Sequence, residues 1–149
     1  MNIAVLFDEE NQQQEIALLK AWQSDHQFTY SPYAIKDDHS YSKPLNVEES
    51  DLFIILIGES SRFLSAQFID DLKLIINSSK TILCLNMNGF IGLNEEDCPR
   101  ALWDCGALHM PFDEENLRYS LSVIKLDTRI HHPTGSFHFR KDARPFDME

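Results

Sequence analysis

The sequence predicts an α/β protein built on a doubly wound parallel sheet. Three observations carry that expectation. Short apolar runs alternate along the chain with segments whose apolar residues recur at helical spacing. The clearest run, Leu52-Phe-Ile-Ile-Leu-Ile57, places six consecutive apolar residues between Asp51 and Gly58, as a strand covered on both faces requires. The elements also follow the order strand, helix, strand, loop, strand, helix, strand, loop, strand, helix, which sets parallel strands in one sheet with helices on both faces. Five strands within about 125 residues fit a flavodoxin-like sheet of order 2-1-3-4-5.

Each element has its own justification. Ile3–Phe7 is a buried first strand, ended by the acidic turn Asp8-Glu9-Glu10-Asn11. Ile16, Leu18, Leu19 and Trp22 recur at helical spacing and predict a helix over Gln12–Gln23. Phe28–Tyr33 alternates and carries aromatics, so it reads as a strand, and Pro32 assigns it to an edge. Ala34–Ser50 is polar and reads as a loop with one turn near Val47-Glu48-Glu49. After Leu52–Ile57, a helix over Leu64–Ile76 presents Leu64, Phe68, Leu72, Ile75 and Ile76 inward. Thr81–Met87 is a buried strand, Asn88–Pro99 a loop, Arg100–Trp103 a helical turn and Ala107–Met110 a short last strand. Asp113 is the N-cap of a final helix to Ile124, with Glu114 and Glu115 at its positive end. The boundaries are one domain over 1–126 and a polar, His-containing tail over 127–149.

Composition narrows the class. The 149 residues suit a single domain, and 43% are apolar, with ten Phe but only five Gly and six Pro, which excludes disordered and collagen-like chains. The net charge is -11, and the tail's four basic and four acidic residues cancel, so the excess lies in the first 126 residues. An acidic body repels phosphate backbones, so no nucleic-acid partner is expected. Cys84, Cys98 and Cys105 are odd in number and lack C-x-x-C spacing, which argues for reduced thiols in the cytoplasm rather than a disulfide framework or zinc ribbon. The first residues lack a basic n-region, and no apolar stretch approaches the roughly 18 residues that a membrane span needs, so neither a signal peptide nor a membrane partner is expected.

In an open α/β sheet, ligands bind beyond the carboxyl ends of the strands, near the switch between strands 1 and 3. That rule selects Phe7, Asp8 and the segment Gly58-Glu59-Ser60-Ser61-Arg62 as candidate ligand-binding residues. Gly58 allows close backbone approach, and two hydroxyls, a guanidinium and the following helix's amide end suit a phosphate or ribose. The plainer reading is an ordinary strand-to-helix turn, since the second Gly and the Lys of a P-loop are absent. On the next helix, Asp71 flanks the apolar stripe, three residues after Phe68 and four before Ile75, whereas Asp70 points away. A carboxylate there can stabilise oxocarbenium charge at a ribosyl bond or act as general base; the plainer reading is a boundary Asp on a soluble helix. Asp8-Glu9-Glu10 suits Mg²⁺ in phosphoacceptor sheets but reads more plainly as a helix-start acidic run. His131, His132 and His138 have no Cys or acidic partner at ligand spacing, so no metal is expected.

Asp51-Leu-Phe-Ile-Ile-Leu-Ile-Gly58, the following helix and Ser78-Ser-Lys-Thr-Ile-Leu-Cys-Leu-Asn86 together resemble the TIR-like family of small prokaryotic flavodoxin-like proteins, some of which serve as TIR subunits of the Thoeris antiphage system. Tyr30–Ile35 with Asp37 and Asp38 resembles the family's second strand and loop. The likeness covers about residues 1–126. It implies signalling or antiphage defence, with NAD⁺ as substrate, cleaved at its nicotinamide–ribose bond by a Glu on the helix after the Leu-Ile-Gly strand. That position falls on Asp70 or Asp71 here, and the helical-face argument selects Asp71 as the catalytic residue. The family's Trp falls near Gln67. Asp is one methylene shorter than Glu, and about 1 Å of displacement can cost about 10²-fold in rate.

Gly106–Leu117 is also similar to the end of response-regulator receiver domains, with Asp8 and Glu9 matching their acidic pocket. Leu56 stands where those domains carry the phosphoacceptor Asp, and Met110 where they carry Lys, so phosphotransfer is not expected. The readings left open are a TIR-like NAD⁺ nucleosidase or cyclase, a non-catalytic TIR-like or pseudo-receiver module, and a nucleoside deoxyribosyltransferase-like enzyme with Tyr33, Asn86 and Asn88 as contacts. The first two also admit a homo-oligomer or a partner protein.

Overall fold

The computed structural model describes residues 2–8, 12–22, 29–35, 46–59, 66–89, 91–126 and 136–137. The elements are β1 (Asn2–Asp8), α1 (Gln13–Trp22), β2 (Thr29–Ile35), β3 (Leu52–Ile57), α2 (Ala66–Asn77), β4 (Thr81–Asn86), a 3-10 turn (Arg100–Leu102), β5 (Ala107–Pro111), α3 (Glu114–Leu126) and β6 (Ser136–Phe137). The first five strands form a parallel sheet of order β2-β1-β3-β4-β5, as the sequence predicts. β2 lies at the edge, where Pro32 opposite Val5 is tolerated.

The tail departs from expectation. Ser136 and Phe137 pair in parallel with Ala107 and Leu108, adding a sixth, two-residue strand to the edge beyond β5. No apolar run announces so short a strand.

Two cores flank the sheet. Every residue of β3 is buried, because alternate side chains feed opposite layers. Leu52, Ile54 and Leu56 join Ile16 and Leu19 of α1 and Leu117 and Leu121 of α3. Phe53, Ile55 and Ile57 join Phe68, Leu72 and Ile75 of α2 and Leu102 of the 3-10 turn. Opposite faces for α1 and α2 follow from chain direction. β1-α1-β2 runs one way along the sheet and β3-α2-β4 the other, so right-handed crossovers put their helices on opposite sides.

Local chemistry sets the ends. The Asp113 carboxylate accepts the Asn116 N–H at 3.0 Å, capping α3 as expected. α1 and α3 are joined where the Trp22 and Phe112 rings lie 4.8 Å apart and Arg118 donates to the Trp22 carbonyl. At the amino edge, Lys80 Nζ donates to the carbonyls of Val47 at 2.7 Å and Glu48 at 3.0 Å, pinning the predicted turn before β3. The first strand's start is fixed there too: the Asn2 N–H donates to the Asp51 carboxylate and the Asp51 N–H to the Asn2 carbonyl, both at 2.8 Å.

Candidate functional site

β1 and β3 are neighbours whose onward connections leave in opposite directions, and their carboxyl ends form the switch point. Asp8 ends β1 and is buried. Its N–H donates to Gln12 Oε1 at 2.7 Å, and its carbonyl accepts the Gln12 N–H at 3.0 Å. Gln12 Nε2 reaches across to donate to the Leu56 carbonyl at 3.4 Å. One glutamine side chain thus ties the ends of the two strands. Gly58 follows immediately, and a Cβ built there would lie 2.9 Å from Gln12 Nε2 and 3.7 Å from Met87 Cγ. Gly58 is needed for this close approach.

The next strand completes the edge. Asn86 is fully buried, and its Nδ2 donates to the Gly92 carbonyl at 2.7 Å, holding the segment after β4. Its own carbonyl accepts the Phe112 N–H at 3.0 Å, and the Met87 N–H donates to the Ile57 carbonyl at 2.9 Å. Gly89 and Gly92 have φ of 76° and 86°, a left-handed backbone that glycine adopts without strain.

The sequence-selected residues divide between the two faces. Phe7 packs inside the α1/α3 core beside Ile16, Leu19 and Leu56. Asp8 and Gly58 meet at the Gln12 tie, and Glu59 is exposed. Ser60, Ser61 and Arg62 lie outside the described residues, as do Glu9, Glu10, Asp37, Asp38, His131, His132 and His138. Asp71 is buried at 7% exposure while Asp70 is exposed, the split that helical spacing predicts. Asp71 belongs to α2, whose inner stripe of Phe68, Leu72 and Ile75 packs on the face opposite the Phe7 side chain. The structure brings Asp8, Gln12, Leu56 and Gly58 together, and the sheet stands between Phe7 and α2.

A second polar cluster escaped the sequence reading. Cys84, Cys98 and Cys105 all contribute to the α2-side core, and His109 stands beside Cys84 across β4 and β5. The thiols are free. Contact with the Cys98 side chain, then burial, pushes the Cys84 thiol up, and burial pushes Cys105 up, so both stay protonated and unreactive. His109 Nε2 lies 3.2 Å from the Leu102 carbonyl, and buried Nδ1 has no hydrogen-bond partner. Burial lowers its pKa from 6.5 to about 4, against a smaller opposing effect of the Leu102 carbonyl. Among the described residues, no group of three or more His, Cys, Asp or Glu side chains is arranged to hold a metal ion. Nor is any helix among them long and apolar enough to cross a membrane.

No protein-family model matches the chain, and no curated protein matches it significantly. The two positions that bear on the receiver likeness are packed side chains here: Leu56 lies in the α1/α3 core, and Met110 Sδ accepts the Ser120 hydroxyl at 3.4 Å.

Gln12 and His109 are the polar groups that sequence reading missed. A strand-ending Asp followed four residues later by Gln at a helix start is the only local signal for the first. His109 sits in an apolar strand as Ala107-Leu-His-Met110, with no spacing to a partner.

Two predictions follow from this geometry. The Cβ of Gly58→Ala displaces Gln12 Nε2 from the Leu56 carbonyl and leaves the bond from the Asp8 N–H in place, so urea unfolding should show a loss of about 0.5–1.5 kcal/mol. His109 is neutral when folded and takes a proton near pH 6.5 when unfolded. Its contribution is therefore complete above pH 6.5 and falls as the pH drops toward 4. Between pH 7.5 and 4.5 the wild type should lose about 2–3 kcal/mol more than His109→Gln in paired urea titrations.

Proposed function

We propose that the chain is a TIR-like signalling module that binds a nucleotide-type small molecule at the carboxyl edge between β1 and β3. The single observation that carries the reading is the Asp8–Gln12–Leu56–Gly58 arrangement. It sets paired backbone hydrogen-bonding groups and a side-chain-free glycine at the switch point of a doubly wound sheet. The resemblance to prokaryotic TIR-like proteins supports NAD⁺ as the first ligand to test, and a defence or signalling system as the setting. The net charge of -11 weighs against a nucleic-acid partner.

A second reading has its own support. Asp71 is buried on α2 beside exposed Asp70, and the TIR-like resemblance puts the family's catalytic Glu at Asp70 or Asp71. In that reading Asp71 stabilises positive charge developing on the ribose as nicotinamide leaves, and the chain is an NAD⁺ nucleosidase or cyclase. The placement of α2 on the face away from the Phe7 side chain weighs toward binding without chemistry.

Titration calorimetry with NAD⁺, with chromatography of the same samples for nicotinamide, separates the readings. Binding by both wild type and Asp71→Asn, without release, is the expected result. Release that disappears in Asp71→Asn selects the nucleosidase reading. Neither binding nor release contradicts both.

A further inference from the structure

The Gln12 side chain is a carboxamide folded against a matched pair of backbone groups. Its oxygen accepts the Asp8 N–H at 2.7 Å, and its nitrogen donates to the Leu56 carbonyl at 3.4 Å. Helix capping does not explain its identity. Gln12 precedes α1 at the position where Ser, Thr, Asp or Asn is preferred. Its side chain turns back onto the sheet edge instead, with 3% of the residue exposed. The donating half of the tie is long, close to the limit of a useful hydrogen bond. A Cβ built on Gly58 would lie 2.9 Å from that same nitrogen, and Gly58 and Met87 are both half-buried.

We infer that the Asp8 N–H and the Leu56 carbonyl form a recognition point for a carboxamide or lactam group of the ligand, and that Gln12 holds this point until the ligand's amide replaces its own. The inference rests on the reading of this edge as the ligand site. The two backbone groups present one donor and one acceptor side by side, and a planar amide offers the complement. An amide that replaces Gln12 remakes both bonds, so the exchange leaves no buried group unsatisfied. A carboxylate of the same shape accepts from Asp8 but has no proton for Leu56, and it sets a negative charge against that carbonyl. The edge therefore selects amides against the corresponding acids.

The test uses Gln12→Ala with propionamide and nicotinamide, each paired with its acid, propionate and nicotinate. The readout is the Asp8 backbone signal in proton–nitrogen correlation spectra. Both amides should shift that signal and bind about tenfold or more tightly than their acids. They should also bind Gln12→Ala more tightly than wild type, which must first release its own side chain. Equal binding of amides and acids, or an Asp8 signal that never moves, overturns the inference. If Gln12→Ala does not fold, nicotinamide titrated into wild type should still shift Asp8 at higher concentration, and no shift overturns it. NAD⁺ added to the same samples separates the two claims. A dinucleotide that moves Gly58 and Met87 but spares Asp8 overturns the inference alone. One that moves none of the three overturns the reading of the edge as well.

Discussion

The burial of β3 on both faces is the constraint on which the rest of the structure depends. Leu52–Ile57 sends three side chains into each core, so no face of this strand tolerates water. Its backbone groups can be satisfied only by neighbouring strands on both edges, which β1 and β4 supply in parallel register. Parallel neighbours need crossover connections, and the helices making them must cover both faces. The two cores and the opposite placement of α1 and α2 follow from that one strand. Deleting methylenes from it would open a cavity in a layer that has no means of collapse, a cost on the order of 2–5 kcal/mol for Ile→Ala.

The same constraint creates the polar problem that Gln12 solves. The β1–β3 register ends at Leu6 and Ile55, so beyond it the facing backbone groups of Asp8 and Leu56 are not paired with each other as strands. The Asp8 N–H and the Leu56 C=O both meet the Gln12 side chain. A tie made by a side chain is exchangeable, whereas a strand pairing is not, because rotating one glutamine breaks two bonds without disturbing the cores. The physical reason to look for a ligand at this edge is thus specific to these residues and goes beyond the general rule for the fold. The thiol and histidine cluster is a contrasting case: contact with the Cys98 side chain and burial raise the Cys84 thiol, burial raises the Cys105 thiol, and burial lowers His109.

The fold was largely legible because its strongest signals are local. The uninterrupted β3 run, the 3.6-residue stripe of α2 and the Asp113 cap each state one element without reference to the rest of the chain. Pro32 also read correctly as an edge residue. β6 was illegible because two residues carry no periodicity, and their pairing with β5 depends on where the preceding segment runs. Within the candidate site, helical spacing distinguished Asp71 from Asp70, since burial on one helix is a matter of angle. Gln12 was read only as the first residue of a helix. Its partner Leu56 is 44 positions away, and no local pattern records a contact across that distance. The Cys84–His109 juxtaposition is hidden for the same reason, being a register between two strands.

The most direct test of the central claim, that the carboxyl edge between β1 and β3 is the ligand site, is a crystal structure of the protein soaked with NAD⁺. The account predicts the dinucleotide over Gly58 and against the Asp8 N–H, with the Gln12 side chain turned away from Leu56. A dinucleotide bound only against α2 beside Asp71, with the Gln12 tie intact, would contradict it.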